Sequence, residues 1–302
     1  MIRDCLKVES ARVHTIETTG GRRLFVREAG DPSGVPVLFL NGTPGSSLMY
    51  EPHVRDAEEK RIRLVSWDRP GYGRSTRHEG RRVADDAANA AAVCAALGIE
   101  RFCAWGISGG GPHALALAAL LPDRCAAAAA LAPLAPYDAE GLDFTEGMGE
   151  QNVEEIGAIF EGAERHREVL ERDRAELSTI TPEHLVEVWQ SLLGPADVEV
   201  TKDGRLAAYI LDCVRDGVGQ SLDGWFDDDI AFVRPWGFEL GAIRVPVLHW
   251  QGEQDRFVPF GHGVWLSQRI PGVESRLTAE DGHLTLGERR IPEVHAWLLE
   301  RF

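Results

Sequence analysis

The stretch Gly106-Ile107-Ser108-Gly109-Gly110 constrains this chain more than any other five residues. An apolar run, Phe102 to Trp105, leads into it, and a helix-forming run, Pro112 to Leu121, follows. The pattern reads as a strand, a sharp turn and a helix, with serine at the apex. Glycine on both sides has a steric reason: a residue held on so tight a turn takes strained backbone angles, and bulky neighbours would collide with the flanking strand and helix. The turn leaves the hydroxyl open at the positive end of the following helix, where the amide of Gly109 can face a developing oxyanion. In a chain with 32 glycines the same five residues also suit a plain loop before a helix, so their company has to decide.

Strand-like segments recur along the chain at Arg12 to Glu17, Arg23 to Glu28, Val35 to Leu40, Arg63 to Trp67, Arg101 to Gly106, Ala126 to Leu131, Val245 to Trp250 and Val273 to Ala279. Helix-like segments separate many of them, clearest at Val83 to Leu97, Pro112 to Leu120 and Pro292 to Arg301, and this alternation predicts an α/β fold with a mostly parallel sheet. The first two segments are joined only by Thr18-Thr19-Gly20-Gly21, which predicts an antiparallel hairpin at one edge. Val35 to Leu40 is apolar throughout, as a central strand covered on both faces requires. Ala126 to Ala130 has poor strand propensity and is assigned as a strand from its position alone.

Between about Leu134 and Leu240 the strand rhythm stops. Ile156, Phe160, Ala163, Leu170 and Leu177 mark one helical face, Thr181-Pro182 starts a second helix that Gly194-Pro195 ends, and a third spans about Leu206 to Val214. The expected organisation is an α/β core of residues 1–133 and 241–302, interrupted by a helical lid over 134–240.

The 302 residues, 44% of them hydrophobic, are enough for one large core with such an insertion. A formal net charge of -16 argues against nucleic acid as a partner and against electrostatic docking on anionic lipid. Met1 to Lys7 carries charges where a signal peptide needs its apolar core, and no later run has the length of a membrane span, so a cytoplasmic location is expected. Cys5, Cys94, Cys103, Cys125 and Cys213 form an odd set without C-x-x-C spacing and read as reduced, mostly buried thiols. Oligomeric state stays open.

A serine hydroxyl is a feeble nucleophile at neutral pH and needs a base, which in turn needs an orienting acid. Asp255 follows the strand ending at Trp250, where the carboxyl end of a parallel sheet carries functional loops. Glu253 and Asp138 are alternative acids. His283, in Asp281-Gly282-His283, follows the last strand in a loop preceded by glycine; His113, His262 and His295 fall inside helices. After Val35 to Leu40 comes Asn41-Gly42-Thr43-Pro44-Gly45, either an ordinary turn or a loop that sets the amide of Thr43 beside that of Gly109 as an oxyanion hole.

With serine, acid and histidine in this order, the chain resembles the α/β-hydrolase family over nearly its whole length. Asp68-Arg69-Pro70-Gly71-Tyr72-Gly73-Arg74-Ser75 is similar to the D-x-x-G-x-G-x-S loop of that family, whose role here is expected to be structural. The family usually has His-Gly where this chain has Asn41-Gly42, a change the amide donor survives. The resemblance is to the lidded branch containing esterases, lactonases, carbon-carbon bond hydrolases and proline iminopeptidases. Proline iminopeptidases typically carry Gly-Gly-Ser-Trp-Gly at the serine and lid acids for the substrate's amino group; this chain has Gly-Ile-Ser-Gly-Gly.

The expected chemistry is cleavage of a small carboxylic ester or lactone by Ser108, with His283 as base and Asp255 as its acid. It needs no metal and no organic cofactor, and its partner is a small ester-like molecule. The alternatives are carbon-carbon bond hydrolysis, a peptidase or amidase activity, and a ligand-binding receptor on a hydrolase scaffold. Phe160, Trp189, Tyr209, Trp225, Phe226, Trp236 and Phe238 either line an acyl pocket or pack lid on core. Asp227-Asp228-Asp229 is expected to be a solvated helix cap, ahead of an ammonium or metal site.

Overall fold

The computed structural model describes residues 11–302; the charged opening Met1 to Lys7, with Cys5, lies outside them. Each expected strand segment forms, with ends shifted by a residue or two. The strands are β1 (Arg12–Thr18), β2 (Arg22–Gly30), β3 (Val35–Leu40), β4 (Ile62–Trp67), β5 (Phe102–Ile107), β6 (Cys125–Leu131), β7 (Val247–Gly252) and β8 (Glu274–Thr278). They make one sheet in the order β1-β2-β4-β3-β5-β6-β7-β8. β2 pairs antiparallel with β1 and β4, and every other neighbour is parallel. The chain steps from β3 outward to β4, then returns to lay β5 on the other side of β3, so the order reverses between β3 and β5. Ligands of open α/β sheets bind at such a reversal, outside the carboxyl ends of the strands.

Side chains alternate across the sheet as the two-residue period demands. Leu38, Leu40, Val65 and Ala104 face one core with α2 (Asp86–Ala96), α3 (Gly110–Leu120) and α10 (Phe260–Ser267). Val37, Phe39, Leu64 and Trp105 face the other with α1 (Glu51–Glu59), α11 (His283–Arg289) and α12 (Ile291–Leu299). The alanine run of β6 is a strand despite its composition, because it is buried on both faces at the middle of the sheet. Small side chains there let the covering α3 sit close.

Between β6 and β7 the chain is helical: α4 (Glu150–Glu161), α5 (Ala163–Thr179), α6 (Leu185–Val188), α7 (Pro195–Thr201), α8 (Arg205–Val218) and α9 (Asp223–Phe232). The face expected to run from Ile156 to Leu177 is broken. Gly162, at φ 122°, separates α4 from α5, and Phe160 is left exposed while Leu170 and Leu177 enter the core of this insert. Gly194-Pro195 does more than end a helix, since Pro195 opens α7. Cys94, Cys103, Cys125 and Cys213 are free and buried. No helix among the described residues is long and apolar enough to cross a membrane.

The insert is tied to the sheet by charge as well as by apolar contact. Asp227, Asp228 and Asp229 are all buried, so the expectation of a solvated cap is wrong. Asp228 has 0% exposure; its Oδ2 accepts from Arg69 Nη2 at 2.6 Å and from Tyr72 Oη at 2.9 Å, and its Oδ1 lies 2.6 Å from Arg81 Nη1. Asp227 takes a two-pronged bond from Arg77, and Asp229 meets His166. Burial alone would push the Asp228 carboxyl upward, but the two guanidinium groups beside it hold it well below the usual carboxylate range. Asp228→Asn leaves both arginines buried against a neutral amide and should cost about 3–5 kcal/mol, read from the urea midpoint of the variant against the unaltered chain. A loss below about 1 kcal/mol would give this cluster the small weight of a surface ion pair.

Candidate active site

β5 delivers Ser108 at φ 54°, a left-handed conformation that a non-glycine residue adopts only under constraint. The constraint is visible in its neighbours: a Cβ on Gly106 would overlap the carbonyl oxygen of Gly110, and one on Gly110 would overlap that of Leu40. The turn is pinned by Ser108 N donating to Leu131 O at 2.9 Å and Gly111 N donating to Ser108 O at 2.9 Å, after which α3 begins. The hydroxyl therefore stands at the carboxyl end of the central strand and at the amino end of a helix.

Asp255 sits in the loop after β7, 4% exposed. Its Oδ1 accepts from the amides of Phe257 and Val258, both at 2.9 Å. Oδ2 accepts from Gln251 Nε2 at 3.0 Å and meets His283 Nδ1 at 2.8 Å. The alternative acids Glu253 and Asp138 are exposed. His283 is the first residue of α11, so it opens a helix rather than riding on a loop. Phe257 stacks on its ring with centroids 4.6 Å apart. With Nδ1 engaged by a carboxylate, Nε2 is the nitrogen left for the cavity that His283 and Ser108 both line. Burial would lower the His283 pKa, but the charge and hydrogen bond of Asp255, with the charge of Asp197, outweigh it and raise the value above the ordinary one.

The Asn41–Gly45 loop lies against the serine. A Cβ on Gly42 would come 3.3 Å from Ser108 Cβ, and one on Gly109 would overlap Thr43 Oγ1. Thr43 and Gly109 are thus side by side on the cavity wall, and neither amide donates to another group among the described residues. The loop is braced throughout. Asn41 Oδ1 accepts from Gly42 N at 2.8 Å, while its Nδ2 donates to Ser46 O at 3.0 Å and contacts Tyr209 and Cys213 of α8. Arg69 donates to the carbonyls of Asn41 and Gly42 and to Thr43 Oγ1, and Thr43 Oγ1 donates to Asp228 Oδ2 at 2.7 Å. The Asp68–Ser75 stretch is structural, as expected, and what it supports is this loop.

The shared cavity encloses about 250 Å³. Ile107, Leu134, Ile210, Phe232 and Val258 make its wall mostly apolar. Of the seven insert aromatics singled out from the sequence, Trp189, Tyr209 and Trp225 line it; Trp236 and Phe238 pack in the sheet core, and Phe226 stacks on His166. His53 also reaches the cavity, but its Nε2 donates to Gly287 O at 2.7 Å and burial pushes it down to about 4, so it is neutral and lacks a carboxylate partner. His113, His262 and His295 are buried elsewhere, against Asp86, Phe144 and Asp56. Two acids on the wall, Glu155 and Asp229, have pKa values raised well above the ordinary range, each by burial first and by a neighbouring carboxylate second. Sequence reasoning passed over Glu155, Arg81, His53 and Asp197, and gave Arg69 no role of its own. Only Arg69 had a signal there, as part of a recognised loop.

Residues 35–289 match the alpha/beta hydrolase fold family. The AB hydrolase superfamily protein YisY of Bacillus subtilis (strain 168) is 26% identical over 281 residues, 89% of this chain and 92% of that protein. A proline iminopeptidase of Neisseria gonorrhoeae is 25% identical over 287 residues, 86% of each chain. Among solved structures, a thermophilic esterase from Thermogutta terrifontis superposes with a TM-score of 0.69 at 22% identity, covering 96% of this chain and 99% of that one. A reversing parallel sheet, a serine on a strained strand-to-helix turn and a family match across most of the chain agree: the protein is an enzyme of the alpha/beta hydrolase fold family.

Proposed function

We propose that this hydrolase cleaves a small carboxylic ester or lactone through an acyl-enzyme, with Ser108 as nucleophile, His283 as base and Asp255 as the acid that orients it. The observation that carries the reading is the 2.8 Å contact of His283 Nδ1 with Asp255 beside a cavity that also holds Ser108 at φ 54°. In this reading His283 Nε2 takes the hydroxyl proton as Ser108 Oγ attacks the carbonyl carbon, and the oxyanion is met by the amides of Thr43 and Gly109. The bond to the alcohol breaks as His283 returns the proton to the leaving oxygen. Water, losing a proton to His283, then attacks the acyl carbon and releases the acid with Ser108 restored. A mostly apolar cavity of about 250 Å³ suits a small acyl group.

A second reading, amide cleavage next to a substrate ammonium, has one observation in its favour. Glu155 and Asp229 line the cavity as a pair of carboxyls whose pKa values are raised by burial and by a neighbouring carboxylate's charge, and an incoming cation would favour their ionised form. A short p-nitrophenyl ester, a γ-lactone and L-proline p-nitroanilide assayed side by side separate the two. The ester reading expects the first two to be turned over and the anilide to be poor, with Glu155→Gln leaving ester turnover within about threefold; preference for the anilide, lost in Glu155→Gln, would replace it.

Ser108→Ala should lower ester kcat by at least about 10⁴-fold with an unchanged circular dichroism spectrum, and a fluorophosphonate probe should label Ser108 and nothing else. Retained turnover removes Ser108 from the chemistry. The pH profile follows from His283. A base must be neutral to accept a proton, and a raised pKa keeps it protonated to higher pH, so the acid limb of kcat/KM should lie above about 6.5. Asp255→Asn removes the main source of the upward shift and should bring the limb down along with kcat.

A further inference from the structure

The first turn of α11 needs acceptors for amides that have no partner inside the helix, and the usual supplier is a side chain just before it. Here Gly282 stands at that position and has none to offer. The acceptor comes from the insert, 86 residues earlier in the chain: Asp197 Oδ2 accepts from His283 N at 2.9 Å, and Oδ1 from Leu284 N at 2.8 Å and Thr285 N at 3.1 Å. The fit leaves no slack, because a Cβ on Gly282 would fall 2.5 Å from the Asp197 carboxylate. Asp197 itself has 0% exposure.

The helix that carries Asp197 also grips the loop that carries the acid. Gln254, next to Asp255, accepts from Ala196 N through Oε1 at 3.1 Å, and its own amide donates to Asp281 O at 3.0 Å. Gly194, at the start of α7, packs so closely on Gln254 that a Cβ would overlap its carbonyl oxygen. One short helix of the insert therefore touches both segments whose spacing sets the contact between Asp255 and His283.

We propose that Asp197 is a positioning residue for His283: its carboxylate holds the first turn of α11, and the imidazole with it, in register with Asp255 and Ser108. This rests on the serine reading above. The charges that bear on His283 from the elements around it are Asp255, from the loop after β7, and Asp197, from α7. His53 on α1 is neutral, and Arg290, beyond the end of α11, is engaged by Glu280, Asp281 and Glu293. Burial raises the Asp197 pKa to about 6, with the charge of Asp255 adding to it and that of His283 opposing it, so at pH 7 and above the carboxylate is mainly ionised and contributes to the raised value of His283.

The test compares Asp197→Ala and Asp197→Asn with the unaltered full chain on a p-nitrophenyl ester, counting competent sites by fluorophosphonate titration. Asp197→Ala should lower kcat about 10- to 100-fold with KM within about threefold, the signature of a misplaced base rather than of lost substrate contacts. Asp197→Asn keeps the shape and part of the acceptor capacity, so it should retain more kcat. Having lost the charge, it should still move the acid limb of kcat/KM down by about half a pH unit or more. The His283 Nδ1 proton resonance followed against pH should shift its midpoint in the same direction. If folded Asp197→Asn keeps both the kcat and the acid limb of the unaltered chain and changes only the urea midpoint, Asp197 is a structural cap and the proposal falls. Should Asp197→Ala fail to fold, Asp197→Asn decides alone. If the unaltered chain is neither active nor labelled at Ser108, the serine reading fails. The resonance titration then still judges the coupling, which a moved midpoint upholds and an unmoved one overturns.

Discussion

Burying the Asp228 carboxylate between Arg69 and Arg81 is the interaction on which the rest of the site depends. Taking three charges out of water is unfavourable, and well-packed apolar side chains often do as well for stability. What apolar packing lacks is direction. Ala231 and Phe232 of α9 join the sheet core, and such contacts tolerate small slides. A carboxylate that must meet Arg69, Arg81, Tyr72 and Thr43 together tolerates far less. The same Arg69 binds the carbonyls of Asn41 and Gly42, so the seating of the insert and the pose of the loop beside Ser108 are set by one cluster.

Adjacent carboxyls in this cluster have their pKa values pushed in opposite directions, for reasons that lie in their neighbours. Asp228 is held low by two guanidinium groups, while Asp229, also buried, sees chiefly burial and the charge of Asp228 and is pushed the other way. Glu155, across from it, is pushed up by burial and by Asp229. In a chain with a formal charge of -16, two of the acids on the cavity wall, Glu155 and Asp229, are thus pushed toward the uncharged form. The carboxylates that bear on the His283 imidazole are Asp255 and Asp197.

What the sequence disclosed and what it hid divide along the range of the interactions. The serine turn was legible because part of its cause is local: Gly106 is demanded by the Gly110 carbonyl within the same strand, turn and helix, although Gly110 is demanded by Leu40 on the neighbouring β3. The placement of Ser108, Asp255 and His283, the members of the proposed triad, was legible because each residue follows its own strand. The break at Gly162 went unseen within the apolar face expected from Ile156 to Leu177, since a period of 3.6 in the sequence can run on across the end of one helix and the start of the next. Asp227 to Asp229 were misread as a surface cap because no local pattern announces that arginines 150 and 159 residues away along the chain will reach them. Asp197 was passed over for the same reason, its partners lying 86 to 88 residues on.

The insert therefore does two things that are usually assigned to different parts of an enzyme. Trp189, Tyr209 and Trp225 shape the wall of the cavity that Ser108 and His283 line. Asp228 and Asn41's contacts with α8 hold the loop beside the serine, and α7 holds both the Asp255 loop and the His283 helix. Wall and support share a backbone. A substitution that widens the cavity on α8 also bears on Cys213 and Tyr209, which Asn41 contacts, and a shift of α7 acts on two segments of the proposed triad together. Catalytic geometry tolerates errors of only about 0.5 Å, so changes in the wall will register in the chemistry unless the buried carboxylates keep their partners.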